Sequence, residues 1–243
     1  MIFRPFYRFE TGCAAYVFGC GGHGVGCVVD PHEADVDEYV AFATAKGLRI
    51  AYVFETHVHA DHRSGGRALA EKTGAKYALH RRADVAFSFD PLDDEQVIEL
   101  GNTIVRVLHT PGHTPESIGL VVNDLRRGPD PWFVCTGDTL FVGSVGRPDL
   151  PGRERDNAAE LHRSLHDKLL ALPETLEIYP AHFSGSPCGA GLSGKPSSTL
   201  AFEKHWNPLL ALAQDAFVEQ VGGASAEKPP GMTEILRFNQ GRA

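Results

Sequence analysis

Three imidazoles and a carboxylate crowd into six residues at His57, His59, Asp61 and His62, directly after the apolar run Ile50 to Phe54. A short apolar run of this kind reads as a buried strand, so the cluster stands at a strand end, where a rigid scaffold presents loop side chains. Two readings are open. A polar surface turn would explain the hydrophilic character but not the choice of residues. A metal or catalytic site explains both, because imidazole and carboxylate are the common protein ligands for divalent cations and H-x-H-x-D-H places them on one short turn.

Three more segments repeat the pattern of a donor just past a strand-like stretch: His113 in Thr110-Pro111-Gly112-His113-Thr114-Pro115, Asp138 in Thr136-Gly137-Asp138-Thr139, and His182 in Tyr179-Pro180-Ala181-His182. Each alone reads more often as a capped or surface residue. Together with the first cluster they read as ligands gathered at one edge of a sheet.

Composition narrows the alternatives. The chain has 243 residues, 42% of them hydrophobic, enough for one large domain or two small ones, and nothing in the composition marks a break. The net charge of -8, with 23 Lys and Arg scattered along the chain, argues against nucleic-acid binding and for a small-molecule partner. The N-terminus carries charge early and lacks the apolar core and small-residue cleavage site of a secretory signal, and eighteen apolar residues never run together. The expectation is a cytoplasmic protein without a membrane partner. Cys13, Cys20, Cys27, Cys135 and Cys188 are odd in number and show no C-x-x-C spacing, so reduced and mostly buried thiols are expected.

Along the chain, Val25 to Val29 reads as a strand ended by Asp30-Pro31. A helix follows with Asp35 as N-cap, Glu38 three residues on and Gly47 beyond its end, burying Val36, Tyr39, Val40 and Ala43. Gly65-Gly66 opens a helix stopped by Gly74, and Tyr77 to Leu79 is again β-prone. The centre, Val97 to Val122 and Trp132 to Val142, is strand-rich. The spacing of Ala158, Leu161, Leu165 and Leu169 predicts a helix over Asn157 to Leu172, stopped by Pro173, and Leu176 to Tyr179 is a further strand. Two helices close the domain, Ser198 to about Trp206 and one with Asn207 as cap, Pro208 at its first position and Gly222 after its end. The expected division is a catalytic domain over residues 1–222 and a polar extension over 223–243 on or near its surface, ordered only at Ile235 to Phe238. Strands and one-faced helices in this order suit helices covering the outer faces of packed sheets.

The four donor segments, in this order from about residue 10 to 210, resemble the metallo-β-lactamase-fold superfamily. The resemblance implies an α/β, four-layer αββα sandwich of two mixed sheets with helices outside and a metal centre at one edge. In dinuclear members one ion is held by the positions matching His57, His59 and His113, the other by those matching Asp61, His62 and His182, with Asp138 bridging. The longer strings Glu55-Thr56-His57-Val58-His59-Ala60-Asp61-His62, Thr110 to Ser117, Thr136-Gly137-Asp138-Thr139-Leu140-Phe141, Gly146-Arg147-Pro148-Asp149 and Tyr179-Pro180-Ala181-His182 resemble the persulfide dioxygenase group, which is glyoxalase II-like. There a single Fe(II) per chain is held by the positions matching His57, His113 and Asp138.

What this implies is a non-haem iron enzyme that oxidises a low-molecular-weight thiol persulfide, such as glutathione persulfide, to sulfite and thiol with O2. Two imidazoles and one carboxylate leave open positions for a thiolate-like substrate and for dioxygen. His59 is carried over as a further metal position, and Asp61, His62 and His182 as catalytic groups bonding to ligands, substrate or water. The chain departs from the group in having no rhodanese domain, so a sulfur donor of that type would be a separate protein, and in Arg63, expected to face solvent.

Arg147 is a candidate for gripping a substrate carboxylate in bidentate fashion, or else pairs with Asp149 to hold its loop. Cys188, six residues past His182, is a candidate substrate-facing thiol, whose reactivity needs exposure and a lowered pKa. Cys135 reads as core. His162 and His166, at i and i+4, are expected to face solvent. Exposed Phe3, Phe6, Tyr7 and Phe9 suggest a homodimer.

The competing enzyme reading is a glyoxalase II-like hydrolase with two Zn(II), in which a bridging hydroxide cleaves a thioester. Against it, only Ser198 to Gly222 is available where glyoxalase II proteins carry a longer basic helical region. A binding module around a structural zinc is the reading from another class. Such sites are closed and usually thiolate-rich, whereas this cluster offers nitrogen and oxygen donors.

Overall fold

The computed structural model describes residues 1–149, 153–189, 191–223 and 228–242. Its frame is two six-stranded mixed sheets. The first runs β1 (Ile2–Arg8), β2 (Cys13–Cys20), β3 (Val25–Val29), β4 (Arg49–Phe54), β5 (Lys76–His80) and β6 (Asp90–Leu92), antiparallel as far as β3 and parallel from there on. In the second, β7 (Val97–Leu100), β8 (Thr103–His109), β9 (Ile118–Asp124) and β10 (Pro131–Gly137) are antiparallel neighbours. There β11 (Glu177–Pro180) lies parallel to β10 and pairs on its other side with the two-residue β12 (Ser198–Thr199).

Strand β2 explains why the layers number four. All eight of its residues are buried, and a strand's side chains alternate between faces, so both faces must be covered. Ala14, Tyr16 and Phe18 join Val105, Leu120 and Phe133 between the sheets. Ala15 and Val17 pack outward under α1 (Val36–Ala45) and α2 (Gly66–Thr73), against Tyr39, Ala43 and Leu69. On the far side Val121 and Val134 lie under Leu161, Leu165 and Leu169 of α3 (Glu154–Arg163) and its continuation, and under Phe217 of α5 (Gln214–Gly222). The α/β four-layer sandwich of two mixed sheets with helices outside is therefore what the structure shows.

Several local expectations are corrected. Asp35 holds the N-cap position of α1 without capping it, because its carboxylate accepts from Arg8 Nη1 at 2.5 Å. The helix read from Asn157 begins at Glu154 and widens into a π-helical stretch over Ser164–Leu169. Asn157 sits inside it, with Nδ2 donating to the carbonyl of Pro148 at 2.9 Å. Ser198 is strand, and Thr199 caps α4 (Leu200–Trp206) by accepting from Phe202 N. Asn207 does accept from Leu209 N, but its Nδ2 is tied to the carbonyl of Ser144 and the chain turns away, so α5 starts only at Gln214 and includes Gly222.

His162 and His166 stack 4.1 Å apart and are half-buried, His162 lying against Phe217, rather than facing solvent. Of the N-terminal aromatics only Phe9 is exposed. Phe6 packs edge-on to Tyr39, and Phe3 lies against Phe133 and Tyr179, which removes the apolar face on which a homodimer was expected. All five cysteines are free and buried, Cys135 between the sheets. In the C-terminal segment a helix, α6, spans Met232–Asn239, while residues 224–227 and 243 of the expected extension lie outside the described residues. Among the described residues no helix is long and apolar enough to cross a membrane.

Candidate metal centre

Strands β4, β8, β10 and β11 end on one edge of the sandwich, and the residues just past them are His57, His113, Asp138 and His182. The metal-ligating atoms of His57, His113 and Asp138 all lie within 4.8 Å of one another, and the three residues are buried. Asp138 Oδ2 is 3.8 Å from His57 Nε2 and 3.5 Å from His113 Nε2. Atoms that each hold one ion at about 2.1 Å stand no more than about 4.2 Å apart, and the carboxylate lies within that reach of both imidazoles. His57 Nε2 and Asp138 Oδ2 are buried without a hydrogen-bond partner, a costly state for polar atoms unless a cation satisfies them.

The surrounding groups orient these donors. His113 Nδ1 donates to the carbonyl of Arg147 at 2.8 Å, which leaves Nε2 unprotonated toward the site. For His57 the orienting chain has two links. Thr56 Oγ1 gives its one proton to Asp30 Oδ2 at 2.9 Å, so it accepts from His57 Nδ1 at 3.0 Å. Burial, with the neighbouring His59, holds His57 well below the usual imidazole range, and burial likewise lowers His113, keeping both neutral and able to ligate. Asp138 is lowered despite burial, by His182 and His57.

His59 is placed differently. Its Nε2 lies 3.2 Å from both Asp30 Oδ1 and Glu55 Oε2, and these carboxylates outweigh burial and raise its pKa well above normal. Its Nδ1 is buried and unpartnered, and it would serve a cation only once the imidazole is neutral. His59 is not among the three residues, His57, His113 and Asp138, whose ligating atoms converge.

His182 bridges two carboxylates, with Nδ1 2.6 Å from Asp138 Oδ1 and Nε2 2.9 Å from Asp61 Oδ2. Burial disfavours its charge, but Asp138 and Asp61 raise its pKa well above normal. Asp61 Oδ2 also lies 3.2 Å from His62 Nδ1, and burial of His62 is outweighed by Asp61, which lifts it to about 9. The structure thus gathers Asp61, His62 and His182 into a second cluster next to the first.

Cys188 is brought to the site. Its ligand atom lies within 4.8 Å of those of Asp138 and His182, but burial pushes its thiol up to about 12, far from a reactive thiolate. Arg147 is buried with its fork on Asp149, Nε to Oδ1 and Nη2 to Oδ2 both at 2.7 Å, and Nη1 donates to the Pro187 carbonyl at 3.2 Å. This fork is the Arg–Asp pair that the loop-holding reading requires. Arg63 faces outward, its side chain 56% exposed and stacked on Phe238.

Sequence reasoning missed Asp30, Glu55 and Cys13. Asp30 follows β3, and the parallel pairing of Val29 with Phe54 brings it out on the ligand edge, a neighbourhood that the sequence alone does not signal. Cys13 starts β2 with Sγ 3.5 Å from Asp61 Oδ2. Burial raises its thiol, but His182 and His62 outweigh that and bring it to about 6.

A four-layer sandwich with buried histidines and carboxylates at one sheet edge defines a class of metal-dependent protein. The chain belongs to the metallo-β-lactamase superfamily, whose sequence model matches residues 13–182. It is 27% identical over 229 residues to persulfide dioxygenase ETHE1, mitochondrial, of Bos taurus, covering 94% of this chain and 84% of that one. Over 268 aligned positions it is 30% identical to the hydroxyacylglutathione hydrolase of Anaeromyxobacter dehalogenans, covering 98% and 99%. The crystal structure of ETHE1 from Myxococcus xanthus matches with a TM-score of 0.86 at 27% identity, covering 100% of both chains. Across the first four curated relatives, the chain spans from 57% to 84% of their length.

Proposed function

We propose that the protein is a non-haem iron persulfide dioxygenase acting on a low-molecular-weight thiol persulfide such as glutathione persulfide. The observation that carries this reading is the converging trio of His57, His113 and Asp138, two neutral imidazoles and one carboxylate with His57 Nε2 and Asp138 Oδ2 buried and unpartnered. Bound by these three groups, Fe(II) would supply the oxygen chemistry and leave positions open for a persulfide sulfur and dioxygen. The overall change, persulfide plus O2 plus water to thiolate, sulfite and two protons, requires proton handling as well as oxidation.

This chain's residues provide that handling. His182 sits between Asp138 and Asp61 and holds a proton on the side of the trio nearest the second cluster. Asp61 and His62 extend that path toward Cys13. Burial keeps His57, His59, His62, His113, Asp138 and His182 out of bulk water. Cys188 lines the same space as a neutral thiol, and a separate rhodanese-type protein or a free persulfide would deliver the sulfur.

The second reading is the glyoxalase II-like hydrolase with two Zn(II), favoured by His59 Nδ1, Asp61 Oδ1 and His62 Nε2, all buried and unpartnered beside the trio. Elemental analysis of protein grown without added metal, paired with oxygen uptake on glutathione persulfide, decides between them. One iron per chain with rapid uptake supports the dioxygenase. Two zincs per chain and thioester cleavage without oxygen consumption support the hydrolase.

A further inference from the structure

The C-terminal helix ends inside the metal-bearing turn. Asn239, the last residue of α6, is 6% exposed, and its carboxamide makes three hydrogen bonds to a segment 175 to 180 residues earlier. Nδ2 donates to the carbonyls of His59 at 2.8 Å and of His62 at 2.9 Å, and Oδ1 accepts from Ser64 N at 2.9 Å. Each of these backbone groups belongs to irregular chain, which has no ladder to satisfy it. Ser64 Oγ in turn donates to Glu55, whose other oxygen faces His59 Nε2. One side chain therefore closes the turn that carries His59, Asp61 and His62.

The helix is held in place by contacts of its own. Arg67 Nη2 donates to the Phe238 carbonyl at 2.7 Å, Arg63 stacks on the Phe238 ring at 4.5 Å, and Ala86 N donates to the Gln240 carbonyl at 2.8 Å. Met232 and Leu236 of the helix, with Gln240 just past its end, lie on another stripe. Together with Val58 and Ala60 they line a cavity of about 260 Å³.

We propose that Asn239 is a positioning residue for the metal centre, fixing through the carbonyls of His59 and His62 the turn that presents the H-x-H-x-D-H donors. The proposal rests on the reading of that cluster as a metal centre. The chemistry singles out asparagine, since only a carboxamide offers two donors and an acceptor at this reach. Alanine would strand two carbonyls and an amide, and aspartate would set carboxylate oxygens against those carbonyls.

The test is Co(II) binding to the full-length metal-free chain, read by titration and by the visible ligand-field spectrum, in wild type, Asn239→Ala, Asn239→Asp and the control Leu236→Ala. We expect Asn239→Ala to bind Co(II) about tenfold or more weakly with an altered spectrum, Asn239→Asp to be weaker still, and Leu236→Ala to keep wild-type affinity and spectrum. Wild-type affinity and spectrum in Asn239→Ala overturn the proposal, as does an equal loss in Leu236→Ala, which would reduce the effect to helix docking. Should the Asn239 variants not fold, hydrogen exchange of the wild type decides: Co(II) should slow exchange of the α6 amides, and unchanged rates overturn the proposal. A wild type that binds no Co(II) defeats the metal reading itself and the proposal with it, an outcome distinct from the others.

Discussion

His113 Nδ1 donates to the backbone carbonyl of Arg147, 34 residues away, across 2.8 Å. One imidazole of the converging trio is thus aimed by the loop that follows Asp138, so a candidate ligand and its orienting group come from two segments meeting at one sheet edge. Metal affinity should depend on both segments at once.

His113→Ala removes one of three converging donors. We expect metal retention and turnover to fall together by more than about 100-fold, beyond the range for orienting groups. Metal analysis after dialysis against a chelator checks this, and a variant that keeps both metal and activity refutes the site.

Asp30→Ala should act at one remove. Asp30 accepts from Thr56 N at 2.7 Å and Thr56 Oγ1 at 2.9 Å and lies 3.2 Å from His59 Nε2. Its loss frees Thr56 to turn its proton elsewhere and leaves the His57 tautomer unset. The expected cost is about 10- to 100-fold in metal affinity, measured by competition with a chelator. An affinity within twofold of wild type would show that Asp30 only braces the turn.

How much of this was legible in the sequence follows from the range of each interaction. Strands β3 and β4 and helix α2 were readable because short apolar runs, glycine stops and apolar spacing are local signals. The donors at 57, 113, 138 and 182 were readable because each sits in a short motif. Asp30 became a partner of His59 through the parallel pairing of β3 with β4, which no local pattern encodes. Asn239 was invisible for the same reason: an isolated Asn in a polar tail carries no signal of a carbonyl 180 residues away. At Asn207 the local reading was chemically right about the cap and wrong about the helix, because a long-range bond to Ser144 redirects the chain.

Acid sensitivity should pass through His80. It stacks on His109 at 3.8 Å, its Nδ1 accepts from Arg82 N, and burial, then His109, holds its pKa down to about 4. In the unfolded chain the imidazole takes a proton near pH 6.5, while the folded one resists until about pH 4. This group therefore makes the fold lose stability as pH falls through that window. Denaturant unfolding at about pH 7 and about pH 5 should show a larger loss for wild type than for His80→Gln. Equal losses would assign the effect to other groups.

Arg147 and Asp149 should behave as one unit. Their side chains, 6% and 14% exposed, form a two-bond fork, so Arg147→Ala, Asp149→Ala and the double variant should be strongly non-additive, with a coupling of about 0.5–3 kcal/mol in unfolding free energy. Because the Arg147 carbonyl aims His113, both single variants should also lower kcat and metal retention with little change in KM. A substrate-gripping Arg147 would instead raise KM in Arg147→Ala while Asp149→Ala left it alone, since removing an interaction made equally in ground and transition states shows in KM and not in kcat. The fork on Asp149 gives the guanidinium's best recognition edge to the protein itself, and that is why the first pattern is expected.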